Sequence, residues 1–479
     1  MIGRQEVMEF SREFGLRVDI VEKDYVLGWL LAGISNHKEL ASNWVFKGGT
    51  CLKKCFFETY RFSEDLDFTV LNAGHLDGNF LGSVFKEIAD WVYEGTGIEL
   101  PHEMIRFDVY TNPRGKLSAE GRVSYRGPVQ LSPRRDLPRM KLDLTNDEIL
   151  VLKPEIRELH HPYSDRPEEG IHVQCYGFEE LCAEKIRALA ERLRPRDLYD
   201  VVHLFRHDND RKDRALILST LKKKCEFKSI PVPTIESFEN NPKRTELEIE
   251  WENMLGHQLP MLPPFEQFWH ELPAVFEWLY RAVEKMAPSP IPLMGMQIDQ
   301  TWRPPAMAHA WHANTPLEII RFAAANRLCV DLTYNGTHRL IEPYSLRMTQ
   351  EGNLLLYAVK HATGEDRFYR VDRIQAANVT KVPFTPRYIV ELTASGPVLI
   401  QPTIRREIIS RGLGPKKIGL SGWYSRKRTS DFAPKYVFQC SLCGKQFTHK
   451  SYDASLNPHK NKQGFPCSGR YGIYMTTKY

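Results

Sequence analysis

Two aspartates lie two residues apart in the stretch Asp65-Leu66-Asp67-Phe68-Thr69-Val70. The alternation predicts a strand with Leu66, Phe68 and Val70 on one face and Asp65, Asp67 and Thr69 on the other. Aspartate is disfavoured in strands. Two carboxylates about 7 Å apart on one face repel each other unless a cation sits between them. Mg²⁺ is the natural occupant, since it takes carboxylate and phosphate oxygens. The stretch Met140-Lys141-Leu142-Asp143-Leu144-Thr145 repeats the pattern, with Leu142 and Leu144 inward and Lys141 and Asp143 opposite. Beside the first strand, Asp143 would supply a third carboxylate. Three carboxylates with two Mg²⁺ suit in-line displacement at phosphorus. On spacing alone, Asp143 is equally an ordinary sheet residue.

Upstream, Lys47-Gly48-Gly49-Thr50 follows the apolar Trp44, Val45 and Phe46 and precedes a helical pattern over Cys51–Glu58. Strand, glycine pair, helix is a phosphate-binding order. Glycine permits close backbone approach, and a helix start offers unpaired N–H groups to an anion. A glycine pair by itself is more often a turn. Downstream, Phe178–Leu193 has a helical apolar stripe of Leu181, Cys182, Ile186, Leu189 and Leu193. Lys185 falls inside that arc, so its ammonium either snorkels to solvent or points at an anion. Pro195 suits the first turn of another helix, buried through Leu198, Val201, Val202 and Phe205. Arg196 and Asp200 lie off that face, and Asp197 is favoured by the helix dipole.

Gly48-Gly49-Thr50 followed by Arg61-x-Ser63-x-Asp65-x-Asp67 resembles the nucleotidyltransferase signature of the DNA polymerase β superfamily. With Glu22-Lys23-Asp24-Tyr25-Val26-Leu27 and Phe46-Lys47-Gly48-Gly49-Thr50, the chain resembles more closely the AbiEii/MenT toxin family. The matching motifs lie between Glu22 and Phe205, roughly two fifths of the chain. The resemblance implies an α+β fold, a polymerase β-like core with a helical C-terminal part. It implies that Asp65, Asp67 and Asp143 hold catalytic Mg²⁺. Lys47, Gly48, Gly49, Thr50, Arg61, Ser63, Lys185 and Arg196 would bind an NTP. Lys185 would meet its phosphates and neutralise the leaving pyrophosphate. Arg196, Asp197 and Asp200 match the family's Arg-Asp-x-x-Asp, with Asp200 organising the nucleotide or acting as base. Relatives imply transfer of NMP to an RNA 3′ end, notably tRNA. Translation arrest, a phage-defence role and a cognate antitoxin would follow.

Thr315–Arg387 opens with a helix over Leu317–Ala325. Strands follow at Cys329–Tyr334, Arg339–Tyr344, Leu354–Val359 and Arg367–Val371, with an Asn335-Gly336 hairpin turn after the first. Val330-Asp331-Leu332-Thr333-Tyr334, Glu342-Pro343-Tyr344, Arg367–Ile374 and Pro383-Phe384 resemble a WYL domain, a ligand-sensing module often for nucleic acid. The eponymous triplet is Leu355-Leu356-Tyr357 here. Arg339, Arg367, Arg370 and Arg373 are candidate contacts to a nucleic-acid ligand. Surface pairing with nearby Glu and Asp competes evenly with that role.

Near the C-terminus, Cys440-x₂-Cys443 is followed by His459 and Cys467. Three thiolates and an imidazole make a closed structural Zn²⁺ site; His449 is the rival fourth ligand. Zinc explains how so short a segment folds. Lys445, Lys450, Lys460, Lys462 and Arg470, interleaved with Phe447, Tyr452, Phe465 and Tyr471, suit a nucleic-acid surface.

These residues must be carried by a chain of 479 residues, enough for about three domains. With 42% hydrophobic and 26% charged residues, it is neither disordered, collagen-like nor a small disulfide scaffold. Composition breaks suggest a transferase body at 1–285, a linker at 286–314, a β-rich WYL-like domain at 315–400, a basic linker at 401–435 and a zinc-binding tail at 436–479. From Gln401 onward, 15 Lys and Arg face 3 Asp and Glu, a charge of +12, leaving −7 for the rest. A basic tail on an acidic body suits a polyanionic partner. The longest apolar run, Tyr25–Ile34, is too short to span a bilayer, and no secretory signal is visible. A cytoplasmic protein with reduced thiols and no membrane contact is expected. Two other functions fit less of this pattern: a nucleic-acid-sensing regulator on an inactive body, and a transferase that modifies a protein or small molecule.

Overall fold

The computed structural model describes residues 1–57, 60–129, 137–206, 213–239, 241–280, 291–292, 297–299, 302, 317–393, 396–397, 435–440, 443–449, 455–457, 459–460, 466–467 and 472–478. Both expected linkers lie largely outside them, as do Lys450, Tyr452, Lys462, Phe465, Arg470 and Tyr471 of the expected nucleic-acid surface. The chain forms two compact units, Met1–Thr403 and Ile404–Tyr479.

The first unit is built on a seven-stranded mixed sheet. Its strands are β1 (Trp44–Lys47), β2 (Asp65–Val70), β3 (Ile105–Thr111), β4 (Leu117–Ser124), β5 (Arg139–Thr145), β6 (Glu155–Glu158) and β7 (His172–Cys175). Their order is β3-β4-β5-β2-β1-β7-β6. β2 runs parallel to β5, and β1 to β7. The expected inward residues of β2 and β5 are buried: Leu66, Phe68 and Val70, then Leu142 and Leu144. Thr69, on the aspartate face, is buried as well, and its hydroxyl meets Tyr176 Oη at 2.6 Å.

The helices before and between these strands are α1 (Arg4–Phe14), α2 (Val18–Asn36), α3 (Gly48–Cys51) and α4 (Gly78–Thr96). α2 carries the long apolar run. It is buried from Ile20 to Gly33 apart from Lys23, so the run is a core helix. α4 packs Phe85 on Trp44 and on Phe107. The expected helix after the glycines starts earlier, at Gly48, and continues as a π-helical turn over Leu52–Phe56.

Seven further helices complete the helical part: α5 (Phe178–Arg192), α6 (Pro195–Arg206), α7 (Arg214–Lys228), α8 (Glu236–Glu239), α9 (Arg244–Leu255), α10 (Phe265–Trp269) and α11 (Leu272–Tyr280). Then α12 (Leu317–Ala325) leads into an antiparallel sheet of β8 (Leu328–Tyr334), β9 (Thr337–Met348), β10 (Leu354–Lys360), β11 (Asp366–Arg370) and β12 (Ile374–Pro383), in the order β11-β10-β9-β8-β12. The Asn335-Gly336 turn is present, both residues at positive φ (50° and 71°), as a type I′ hairpin requires. A short pair, β13 (Leu392–Thr393) and β14 (Gly396–Pro397), follows.

α12 ties this module to the helical part. Asn326, just beyond it, accepts a hydrogen bond from Tyr199 Oη at 3.0 Å and lies 3.2 Å from His203 Nε2. Glu271 bridges Arg206 (2.6 Å) and Arg327 (3.0 Å).

The second unit holds a sheet of β15 (Lys435–Cys440), β16 (Gln446–His449) and β19 (Gly472–Lys478), and a pair β17 (His459–Lys460) and β18 (Pro466–Cys467). Its core is small: Phe438, Cys440, Leu456 and Cys467. Among the described residues, no helix is long and apolar enough to cross a membrane.

Candidate active site

The register of β2 on β5 sets Asp67 directly beside Asp143, and Asp65 beside Lys141. Asp65, Asp67 and Asp143 thus share one face of two adjacent parallel strands. Lys47, at the end of β1, pairs with Asp67 on the other side. The row continues outward: Asp143 faces Glu120 in β4, and Glu120 faces Asp108 in β3. Lys141 lies 3.5 Å from both Asp143 and Glu120. Glu120 and Lys141 are half-buried members of this face, and of the two only Glu120 was passed over by motif reading.

Gly48 explains why glycine leads the loop. Its φ is +79°, and a Cβ there would stand 2.0 Å from Asp67 Oδ2. The glycine backbone and the Asp67 carboxylate therefore occupy adjoining space that no side chain can share. At Gly49 a Cβ would meet the Arg61 guanidinium at 2.5 Å and Ser63 Oγ at 3.1 Å. Thr50 Oγ1 donates to the Asp65 carbonyl at 2.5 Å, pinning the loop to β2.

The electrostatics fit a cation. Burial pushes the Asp67 carboxyl up; Lys47 and Lys185 oppose this, while Asp143 and Asp65 add to it, and it settles at about 6. Asp143 is raised as well, by burial first and, against the pull of Lys141, by Asp65. Mutual repulsion of like charges costs the ionised forms free energy, and a divalent ion between the oxygens removes that cost. The donor set, oxygen only and beside a glycine cradle, suits Mg²⁺. At subsaturating Mg²⁺, activity is expected to fall about tenfold per pH unit below about 6, because the proton on Asp67 competes with the cation. Raising Mg²⁺ should move the midpoint down. A midpoint indifferent to Mg²⁺ would separate Asp67 from metal binding.

Under the loop lies a buried network around Asp200, which is 0% exposed. Arg61 donates to both its oxygens, at 2.7 and 2.8 Å, and Lys185 Nζ lies 2.7 Å away. Tyr60 Oη donates to the same carboxylate. Burial raises this carboxyl, but Arg61 and Lys185 overcome it and hold it below the usual carboxylate range. Arg61 is buried, engaged with Asp200 and Gln258, and its guanidinium lies against Gly49. Asp200 is enclosed, with its carboxylate held by Arg61 and Lys185.

Lys185 neither snorkels nor stands free in a cleft; it is turned to Asp200. Lys47 is buried against Glu184 at 3.1 Å, a partner hidden in the middle of α5. Burial disfavours the Lys47 ammonium, yet Glu184 and Glu148 keep it charged. Arg196 remains partly exposed, 3.9 Å from Asp65, at the open side of the carboxylates. Arg192 grips Asp197 through both oxygens at 2.7 Å, so Asp197 holds the α5–α6 corner. The Glu22-Lys23-Asp24 motif is structural. Glu22 accepts from Val129 N–H at 2.7 Å, Lys23 meets Glu64 at 2.8 Å, and Asp24 pairs with buried Lys54 at 2.7 Å.

The arginines of the β-rich module are mostly spoken for. Arg367 pairs with Glu365, and Arg370 with Asp372 at 2.7 Å. Arg339 caps the hairpin through the Tyr334 carbonyl at 2.7 Å. Arg373 is exposed and contributes to the field at Asp372. Two of the four arginines are thus ion-paired with their neighbours, and a third is held by backbone carbonyls.

In the second unit, ligand atoms of Cys440, Cys443, His459 and Cys467 all lie within 4.8 Å of one another. Cys443 Sγ is 3.3 Å from His459 Nε2, and Cys440 Sγ is 3.8 Å from Cys467 Sγ. His459 Nδ1 lies 2.9 Å from the Asn457 carbonyl. Donation to that carbonyl would leave Nε2 free to take a metal. His449 lies outside this group, its ring edge-on to Phe438. His459→Ala is expected to lower zinc content and unfold the small unit, whereas His449→Ala should keep full zinc. Metal analysis with circular dichroism reads both; equal zinc in both variants would reject His459.

A family model described as nucleotidyl transferase AbiEii toxin, type IV toxin–antitoxin system, matches residues 29–280, just over half of the chain. A WYL domain model matches residues 316–379. No curated protein matches the chain. Among solved structures it is similar to MenT4, a nucleotidyltransferase toxin from Mycobacterium tuberculosis H37Rv, at 19% identity. The match covers 58% of this chain and 90% of that one, with a TM-score of 0.40.

Proposed function

The chain belongs to the AbiEii nucleotidyl transferase toxin family, and on that premise we propose that it transfers NMP from an Mg²⁺-bound NTP to the 3′ hydroxyl of an RNA, with tRNA the leading acceptor and arrest of translation the result. The observation that carries the reading is the in-register set of Asp65, Asp67 and Asp143 beside the Gly48-Gly49-Thr50 loop.

Asp65 and Asp67 would hold the metal, with Asp143 as the third ligand. When bound, Mg²⁺ supplies charge neutralisation on the triphosphate and on the developing transition state. Backbone N–H groups of Gly48, Gly49 and Thr50 would meet the terminal phosphates. Asp143, partly exposed and raised in pKa, would orient the acceptor hydroxyl and take its proton. Arg196, at the rim, would contact the nucleotide or leaving pyrophosphate. Lys185 and Lys47 would add positive potential from below, fixed by Asp200 and Glu184. Asp200 and Arg61 act as positioning residues.

The tail, positively charged and folded on Zn²⁺, would hold RNA through phosphate contacts; the WYL domain would sense a ligand or recruit substrate. Contact of Asn326 with Tyr199 and His203 on the helix that carries Asp200 supports regulation of the transferase by that domain. A cognate antitoxin is the expected protein partner.

The test is transfer of label from each α-labelled NTP into total RNA with Mg²⁺. Label in RNA from wild-type protein, strongest with one NTP and lost at high salt, is expected. Label in the protein fraction alone would replace RNA with a protein acceptor.

A further inference from the structure

Behind the glycine loop, three of the six cysteines of the first unit converge. Cys51 ends α3, directly after Thr50, and Cys55 follows four residues later in the π-helical turn. Cys175 ends β7, opposite Phe46 of β1. All three are buried, at 0%, 9% and 0% exposure, and their Sγ atoms lie within 4.8 Å of one another. No carboxylate or imidazole joins them among the described residues.

We propose that Cys51, Cys55 and Cys175 form a three-sulfur site for one thiophilic monovalent cation, Cu⁺, seated behind the nucleotide loop. Metal–sulfur bonds of about 2.3 Å put three sulfurs roughly 4 Å apart around one ion, within the spacing here. A set made only of sulfur selects a soft ion over Mg²⁺. The π turn supports a built site: such turns are frequent at functional sites, and this one begins directly after Cys51 and contains Cys55. Arg157, paired with Glu155 at 2.8 Å, donates to the Cys55 carbonyl at 3.2 Å and lies 4.1 Å over the Phe56 ring, which fixes the turn that carries Cys55. Binding exchanges thiol protons, released to solvent, for copper–sulfur bonds; no electron moves.

The second unit also carries three thiols, so the test removes them. Full-length protein with Cys440→Ser, Cys443→Ser and Cys467→Ser is loaded with Cu⁺ buffered by bathocuproine disulfonate. The expected result is one bound equivalent, an ultraviolet thiolate-to-copper band and a raised Tm. Adding Cys175→Ser should remove all three signals, while adding Cys225→Ser, another buried cysteine, should leave them. No bound copper, or copper that persists without Cys175, overturns the proposal and leaves the three thiols as apolar packing. Should the Cys175 variant fail to fold, Cys51→Ala serves in its place. X-ray absorption at the copper edge of zinc-filled wild type gives an independent reading: three sulfurs at about 2.3 Å support the site, and oxygen or nitrogen ligands reject it.

Discussion

Asp67→Asn is expected to lower nucleotide transfer at least a thousandfold while leaving the protein as stable as wild type, or more so. The activity loss follows from geometry. Asp67 faces Asp143 across the strand pair and Gly48 across the loop, so no neighbouring carboxylate can take over its place. Losing one charged ligand from a site whose work is electrostatic stabilisation typically costs several kcal/mol of barrier, about tenfold for each 1.4 kcal/mol. The stability follows from its pKa. Burial and two neighbouring aspartates lift Asp67 to about 6 from the ordinary 3.8. The folded state therefore binds this proton more tightly than the unfolded state does. Stability from the protonated form is present at low pH and is lost as pH rises from about 4 to about 6. At neutral pH, without metal, the ionised group is a net cost that asparagine relieves. Thermal melts at pH 7.5, 5 and 3.5 check this: the variant should gain on wild type at 7.5, and the gap should narrow at 5 and close at 3.5. Mg²⁺ with nucleotide should raise the wild-type Tm and leave the variant's unchanged. A variant that keeps full transfer would remove Asp67 from the site.

How much of this was legible depends on range. The two strand patterns are local, and Asp65–Val70 and Met140–Thr145 lie where alternation put them. Their pairing is not local. Nothing within either stretch says that residue 67 lies beside residue 143, yet the catalytic reading rests on that register. The type I′ hairpin at Asn335-Gly336 and the helix over Leu317–Ala325 were readable because turn chemistry and helical period are short-range signals. β12 was missed because its sequence, Ile-Gln-Ala-Ala-Asn-Val-Thr-Lys-Val-Pro, barely alternates and half of it is exposed. It is held by pairing with β8. The partners of charged residues were not legible where they are distant in sequence. Glu184 looks like an ordinary helix residue until Lys47 reaches it from 137 positions away. That Arg61 and Asp200 are buried against each other was hidden for the same reason, because residue type alone does not reveal a buried pair. Spacing favoured His459 over its rival His449, and the strand pair β17–β18 sets His459 opposite Cys467.

That burial gives the second large expected effect. Asp200→Ala leaves Arg61 and Lys185 without their shared counter-ion in a site that water does not reach. Removing one partner of a buried ion pair costs about 3–5 kcal/mol, so a drop in Tm of roughly 10 °C is expected. Asp200→Asn, which preserves shape, should lose less. Combining Asp200→Asn with Arg61→Gln should recover part of the loss, since the penalty belongs to the unpaired guanidinium. Non-additivity in that cycle, measured by chemical unfolding, reports the coupling directly. Activity separates positioning from proton transfer. If Asp200 only fixes Lys185 and Arg61 beneath the loop, Asp200→Asn will lower kcat but retain the acidic limb of the pH profile, while Asp143→Asn will abolish or displace that limb. A lost limb in Asp200→Asn with an unchanged one in Asp143→Asn would make Asp200 the base after all, and would require the network to open when nucleotide binds.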